Sequence, residues 1–340
     1  LVILPPLLFE AALNLHWHEL KRDALPVLVL STLGVVISAA VVAGGMTVLL
    51  AWPFAAALVF GVLIAATDPV AVIAMFKDVG LKGRLRFLVE SESLFNDGVA
   101  AVFFALALAV AQGVAPTPGG ALLDLVLTAG GGVVAGLVVG GFALLLAGST
   151  RDHLVSAAVT TIAAYGAFLL AEHFHTSGVL ATVTAGLLIG NVGFVSETRR
   201  AAFSAGEREF VLGFWDFAAF IANSFVFLMI GLAVGQLPFA WLGAATLVTA
   251  VLLVLAGRAL TVYPLSLAFA RSRWAIPLAE QHVLWWGGLR GALALALALS
   301  LPPELPFAGQ IRIATFGVVV FSVVLQGLTM PLLLRRAKQA

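Results

Sequence analysis

Cysteine is absent from this chain of 340 residues, which excludes disulfides and thiolate-held metals and leaves the redox compartment open. Charge is scarce: charged residues make up 10% of the chain and the net charge is +1, so the sequence offers no basic surface for nucleic acid. Long polar stretches are lacking as well. Those between apolar runs, such as 112–120 and 302–310, are too short for a soluble domain. No HExxH zinc motif occurs, and His173 and His175 fall at a segment end. The start has neither a methionine nor the charged, cleavable pattern of a signal peptide; Leu1 already stands inside an apolar run, which reads as a truncated N-terminus. What the chain has in abundance is apolar surface, 62% of residues with a mean hydropathy of +1.11. That is far above a soluble domain and makes lipid the solvent for most of its length.

A spanning helix needs about 20 mostly apolar residues. By that measure eleven segments stand out, near 1–15, 25–51, 53–76, 88–112, 121–148, 153–171, 177–195, 210–235, 240–270, 280–301 and 311–334, together one membrane domain over 1–340. Positive charge collects on the cytoplasmic side of membrane proteins. One set of alternate loops carries Lys21, Arg22, Lys77, Lys82, Arg84, Arg86, Arg151, Arg199, Arg200, Arg208, Arg271, Arg273, Arg335, Arg336 and Lys338, and the other carries Arg312 alone. The asymmetry supports the span count and predicts a cytoplasmic C-terminus.

A charge at the bilayer centre costs about 2.5–3.5 kcal/mol on insertion scales, so each needs a reason. In LVFGVLIAATDPVAVIAMF, Pro69 lacks a backbone donor and disfavours helical geometry at Asp68. The helix is expected to break at Thr67-Asp68, freeing carbonyls to coordinate a cation beside the Asp68 carboxylate; a simple proline kink is the plainer alternative. In ESESLFNDGVAAVFFALALAV, Ser93 and Asp97 share a helix face, and Glu92 and Asn96 share its neighbour. This polar stripe needs a polar partner, for which the Asp68 break is the natural choice. Two carboxylates, a hydroxyl and freed carbonyls suit a hard cation such as Na⁺. Taking a carboxylate out of water favours its protonated form, so proton and metal compete for such a site. Glu90 and Glu92 also read as cytoplasmic helix caps, as do Asp216 and Glu280.

In HVLWWGGLRGALALALALSL, Gly287, Gly288 and Gly291 around Arg290 predict a second interruption. It lies seven segments after the first, and an odd offset inverts its orientation; paired broken helices in inverted halves point to a secondary transporter's binding site. Arg290 either offsets helix-end or site charge or snorkels to the surface. Arg258 needs an acidic partner, for which Glu92 is chosen. Glu10 is either protonated near the ion site or at the cytoplasmic end of its segment.

Taken in order, LPPLLFEAALN, TDPVAV, ESESLFNDG, SGVLATVTAGLLIGN, NSFVFLMIGL, GRALTVY and WGGLRGA resemble the monovalent cation:proton antiporter-1 family, which includes the NhaP proteins and the Na⁺/H⁺ exchangers. The likeness covers nearly the whole chain. It implies an all-α polytopic membrane protein with the NhaA-like inverted-repeat antiporter fold, two crossing unwound helices, about thirteen spans (two of them missing here) and a homodimer. Carried over by position, it implies Thr67, Asp68, Asp97 and Ser93 as Na⁺ ligands, with Asn96, Glu10 and Arg290 supporting the site and Glu92 with Arg258 as a structural ion pair. Ser91 departs from the family pattern, where glycine between the two glutamates is commoner. No resident cofactor is implied; Na⁺ or Li⁺ and H⁺ are the cargo.

The function expected is electroneutral Na⁺/H⁺ exchange by alternating access in a prokaryotic plasma membrane. A K⁺/H⁺ antiporter or a passive cation channel would use the same acids. Two intramembrane aspartates also suggest an intramembrane aspartyl protease, but Asp97 sits in FNDG, where asparagine and not glycine precedes it, and Asp68 precedes proline. An enzyme is therefore not expected.

Overall fold

The computed structural model describes residues 2–81, 83–114, 117–148, 152–194, 203–236 and 243–339. Lys82, Arg151, Arg199 and Arg200 of the basic loops lie outside the described residues. Among those described, every regular element is a helix, as a chain in lipid requires when each backbone group must find a partner within its own segment. The helices are α1 Leu4–Asn14, α2 Trp17–Leu50, α3 Phe54–Leu63, α4 Val70–Asp78, α5 Arg84–Ala111, α6 Pro118–Ala147, α7 His153–His173, α8 Gly178–Leu188, α9 Ala205–Gln236, α10 Ala244–Ala268, α11 Leu278–Trp286, α12 Ala292–Leu299, α13 Ala308–Phe321 and α14 Gly327–Gln339. Two π turns, Ile189–Gly193 and Ser322–Gln326, follow α8 and α13.

Among the described residues, seven helical stretches are long and apolar enough to cross a membrane. Two other apolar segments are each delivered as a pair of short helices: α3 and α4 flank 64–69, and α11 and α12 flank 287–291. These are the two interruptions expected from Pro69 and from the glycines around Arg290. The first opens earlier than expected, since α3 ends at Leu63 and not at Thr67. Helix α9 begins at Ala205, so Asp216 lies well past its first turn and is exposed. The acid at that start is Glu207, which accepts the Ser204 N–H (2.7 Å) while its own N–H reaches Ser204 Oγ (3.3 Å), a reciprocal cap.

The chain divides into two compact units. The first comprises Leu1–Arg22 and Thr117–Leu228. Its core sets Phe9 of α1 against Trp215 of α9, ring centres 4.6 Å apart, over a floor of Ala163, Ala164, Ala167, Ala181 and Ala185. Small residues let backbones approach, and in lipid that close packing takes the place of a hydrophobic drive: a Cβ on Gly136 would lie 2.3 Å from the Ala181 carbonyl oxygen. The outer faces of α6 and α9 expose Leu123, Val134, Phe142, Phe217, Phe220 and Phe225, an apolar surface that only a non-aqueous surrounding suits.

The second unit comprises Asp23–Pro116 and Met229–Ala340. Phe60, Leu63 and Ile64 of the first broken segment pack with Ala43, Met46, Ala250 and Ala314 in its core. At its edge α2 loses helical geometry at Asp23 (φ −111°, ψ 19°). Pro26 explains the place, having no N–H for the carbonyl one turn back. Arg84 locks it, with Nε on Asp23 Oδ1 at 2.8 Å and its other nitrogens on the Trp274 and Ala275 carbonyls.

Candidate functional site

Pro69 has no N–H for the Ala65 carbonyl, and the Val70 N–H that would serve Ala66 turns instead to Asp68 Oδ1 at 3.0 Å. Two carbonyls at the end of α3 are thereby orphaned inside the protein, where an unpaired polar group is costly. Arg290, from the second break, supplies what is missing: its Nη1 reaches the Ala65 oxygen at 2.7 Å and the Ala66 oxygen at 3.0 Å. A cation at a helix C-terminus also complements the helix dipole. Arg290 is 2% exposed, so it turns inward to α3 and does not snorkel. Its reach for Ala65 and Ala66 also fits the early end of α3.

Asp68 does the converse for the helix starts. Its Oδ1 caps α4 through Val70, its Oδ2 accepts the Ala292 N–H at the start of α12 (3.2 Å), and its own N–H donates to the Leu289 carbonyl at 2.7 Å. One carboxylate thus joins two helix N-termini, the ends that attract negative charge. Such closeness requires Gly291: a Cβ there would lie 1.9 Å from Asp68 Oδ2. The backbone at Gly291 has φ −150° and ψ −135°, and lack of space by itself already demands the glycine.

Helix α5 lays its polar stripe against the first break. Asn96 Nδ2 donates to Thr67 Oγ1 (2.7 Å) and Glu92 Oε1 (3.2 Å), Asn96 Oδ1 accepts the Thr67 N–H (3.2 Å), and Ser93 Oγ donates to the Thr67 carbonyl. Glu92 is forked by Arg258 through bonds of 2.7 and 2.8 Å, and Arg258 also reaches the Leu284 carbonyl of α11 at 3.0 and 3.2 Å. Gly288 makes room, since a Cβ there would meet Arg258 Nε at 2.8 Å. A small pocket lies among Thr67, Pro69, Glu92, Ser93, Arg258 and Gly287.

Asp97 differs from its neighbours. Its Oδ1 is buried and has no hydrogen-bond partner among the described residues. A buried carboxylate oxygen left without a donor is suited to a proton or a metal ion.

Thr67, Asp68, Glu92, Ser93, Asn96, Asp97, Arg258 and Arg290 all fall in the second unit. Glu10 belongs to the first, where Asn14 Nδ2 donates to its Oε1 at 2.7 Å. The sequence reading missed the steric part played by Gly291. It also missed Ser322 and Gln326, buried polar residues four apart in an apolar span, a signal available in the sequence.

The fold and the sequence have known counterparts. The fold is similar to that of the sodium proton antiporter MjNhaP1 from Methanocaldococcus jannaschii, with a TM-score of 0.81, 22% identity and coverage of 99% of this chain and 84% of that one. In sequence the chain is 40% identical over 331 residues to the Na⁺/H⁺ antiporter ApNhaP of Aphanothece halophytica, covering 97% of this chain and 62% of that protein. It is 36% identical to the Na⁺/H⁺ antiporter NhaH of Halobacillus dabanensis, covering 98% of this chain and 82% of the relative. The family described as sodium/hydrogen exchanger, transmembrane, matches residues 1–336. Matched by that family over residues 1–336, the chain belongs to the sodium/hydrogen exchanger family.

Proposed function

We propose that the protein exchanges Na⁺, or Li⁺, for protons across a prokaryotic plasma membrane, one for one and by alternating access. The observation that carries this reading is the unpartnered, buried Oδ1 of Asp97, one helical turn from Ser93 and beside the Thr67 break. Relatives named as Na⁺/H⁺ antiporters support the ion pair exchanged. Asp97 is the carboxylate for which Na⁺ and H⁺ compete, Thr67 and Ser93 supply neutral oxygens, and Asp68 holds the two helix starts and lends charge. Asn96 fixes Thr67, Arg290 closes α3, and the Glu92–Arg258 pair ties α5 to α10 and α11. The loop charges favour a cytoplasmic C-terminus, and the family likeness favours a homodimer.

In vesicles, added Na⁺ or Li⁺ should collapse a preset pH gradient, and Asp97→Asn should abolish the response. Competition requires the apparent KM for Na⁺ to rise as the pH falls. Full activity in Asp97→Asn, or a KM indifferent to pH, would remove the basis of this reading.

A further inference from the structure

In a continuous helix the Arg290 N–H would bond the Trp286 carbonyl, four residues back. In the second break that bond is open, and both its ends are taken by side chains of one π turn. Gln326 Nε2 donates to the Trp286 carbonyl at 2.9 Å, and Ser322 Oγ accepts the Arg290 N–H at 3.1 Å. The Ser322 hydroxyl also stands 2.9 Å from the Val319 carbonyl and 3.3 Å from that of Arg290, either of which takes its one proton. Ser322 and Gln326 are 1% and 3% exposed, so water is no substitute for them. A π turn is rare and recurs at functional sites; this one, Ser322–Gln326, brings both polar groups to the same broken bond. A further tie is the Trp286 indole, which donates to Thr329 of α14 at 2.8 Å.

The four residues from Leu289 to Ala292 shape the site described above. The Leu289 carbonyl holds the Asp68 N–H, the Ala292 N–H holds Asp68 Oδ2, and the Arg290 side chain holds Ala65 and Ala66. All of these depend on the Arg290 peptide facing away from Trp286. We infer that Ser322 and Gln326 are positioning residues for ion exchange: they keep the second break open by occupying both halves of its missing hydrogen bond. This rests on the function proposed above. Without them the Arg290 N–H and the Trp286 carbonyl are free to pair, which would lengthen α11 and draw Leu289, Arg290 and Ala292 away from Asp68.

The test uses the full chain in proteoliposomes, reading Na⁺-driven proton movement over a range of pH, with Ser322→Ala, Gln326→Leu, the double variant and Ser322→Thr. Leu325→Ala serves as control, a π-turn residue that is 50% exposed. The double variant should raise the KM for Na⁺ by about tenfold or more and displace the pH profile, as misplaced site groups do. Each single variant should do less, Ser322→Thr should restore near-native values, and the control should match the wild type. Hydrogen exchange supplies a readout independent of transport: the Arg290 amide should become better protected in the double variant. An unchanged KM and pH profile in the double variant would overturn the inference, as would mere loss of folded protein with native kinetics in the remainder. If the wild type moves no protons with any cation, the proposed function fails instead. Amide protection then decides the positioning claim alone, and no gain in protection would sink it.

Discussion

Gly291 is the residue with the least freedom in the site, because its hydrogen faces the Asp68 carboxylate where any Cβ would overlap it. Gly291→Ala should push Asp68 from one or both helix starts, cost about 1–3 kcal/mol as overpacking does and lower exchange by about tenfold or more. Transport assays at matched protein levels check this; native rates would show that Asp68 relocates without loss. The Glu92–Arg258 fork poses a different test. Arg258→Met leaves a buried, unpaired carboxylate and should cost about 3–5 kcal/mol, whereas adding Glu92→Gln should recover much of it while keeping an acceptor for Asn96. Thermal unfolding in detergent measures both, and a double variant no more stable than the single one would contradict the pairing. At this scale the sequence was informative wherever a charge stood in an apolar run, as with Asp68, Asp97, Arg258 and Arg290. Gly291 was read as a helix breaker because the neighbour that excludes a side chain there lies more than 200 residues away in the chain.

Among the elements, α12 shows how a short helix is held in an apolar surrounding. Eight residues long, it has its N-terminus on Asp68. The carbonyl of Ala298 in its last turn and that of Leu301 just past its end are taken by Arg312 of α13. Arg290 serves α3 and Arg258 serves α11 in the same manner, so three half-helices end on arginines supplied by other segments. Arg312→Gln should lower stability by about 1–2 kcal/mol through the loss of a charge-assisted bond and of favourable dipole interaction, with Arg312→Lys retaining part. An unaltered unfolding midpoint would mean that water serves those carbonyls as well. Hydropathy and Pro69 made the helices and their breaks legible, but not the early end of α3. Charge counting read Arg312 only as the exception among the outer loops, since a cap supplied from another helix leaves no local mark.

For the whole molecule, the charge inventory of the site bears on the ratio of the proposed exchange. Asp68 has both oxygens on helix starts, Asn96 is an uncharged amide engaged at Thr67, and Asp97 keeps one oxygen without a partner. One carboxylate available to one cation or one proton predicts electroneutral exchange, so imposing a membrane potential on proteoliposomes should leave the rate unchanged; a clear acceleration would require a second charge in the cycle. That the chain is a succession of apolar helices was plain in the sequence because lipid imposes a length on each. The division into two units was not, because contacts such as Gly136 against Ala181 join small apolar residues that look alike wherever they fall.

Each broken segment is finished by the other: Arg290 ends α3, and Asp68 begins α12. Neither is therefore a self-contained module that can be inherited or transplanted singly. A chimera with a distant family member that exchanges 54–78 should function only when 278–299 travels with it, and the two stretches, although separated by most of the chain, behave as one unit of descent.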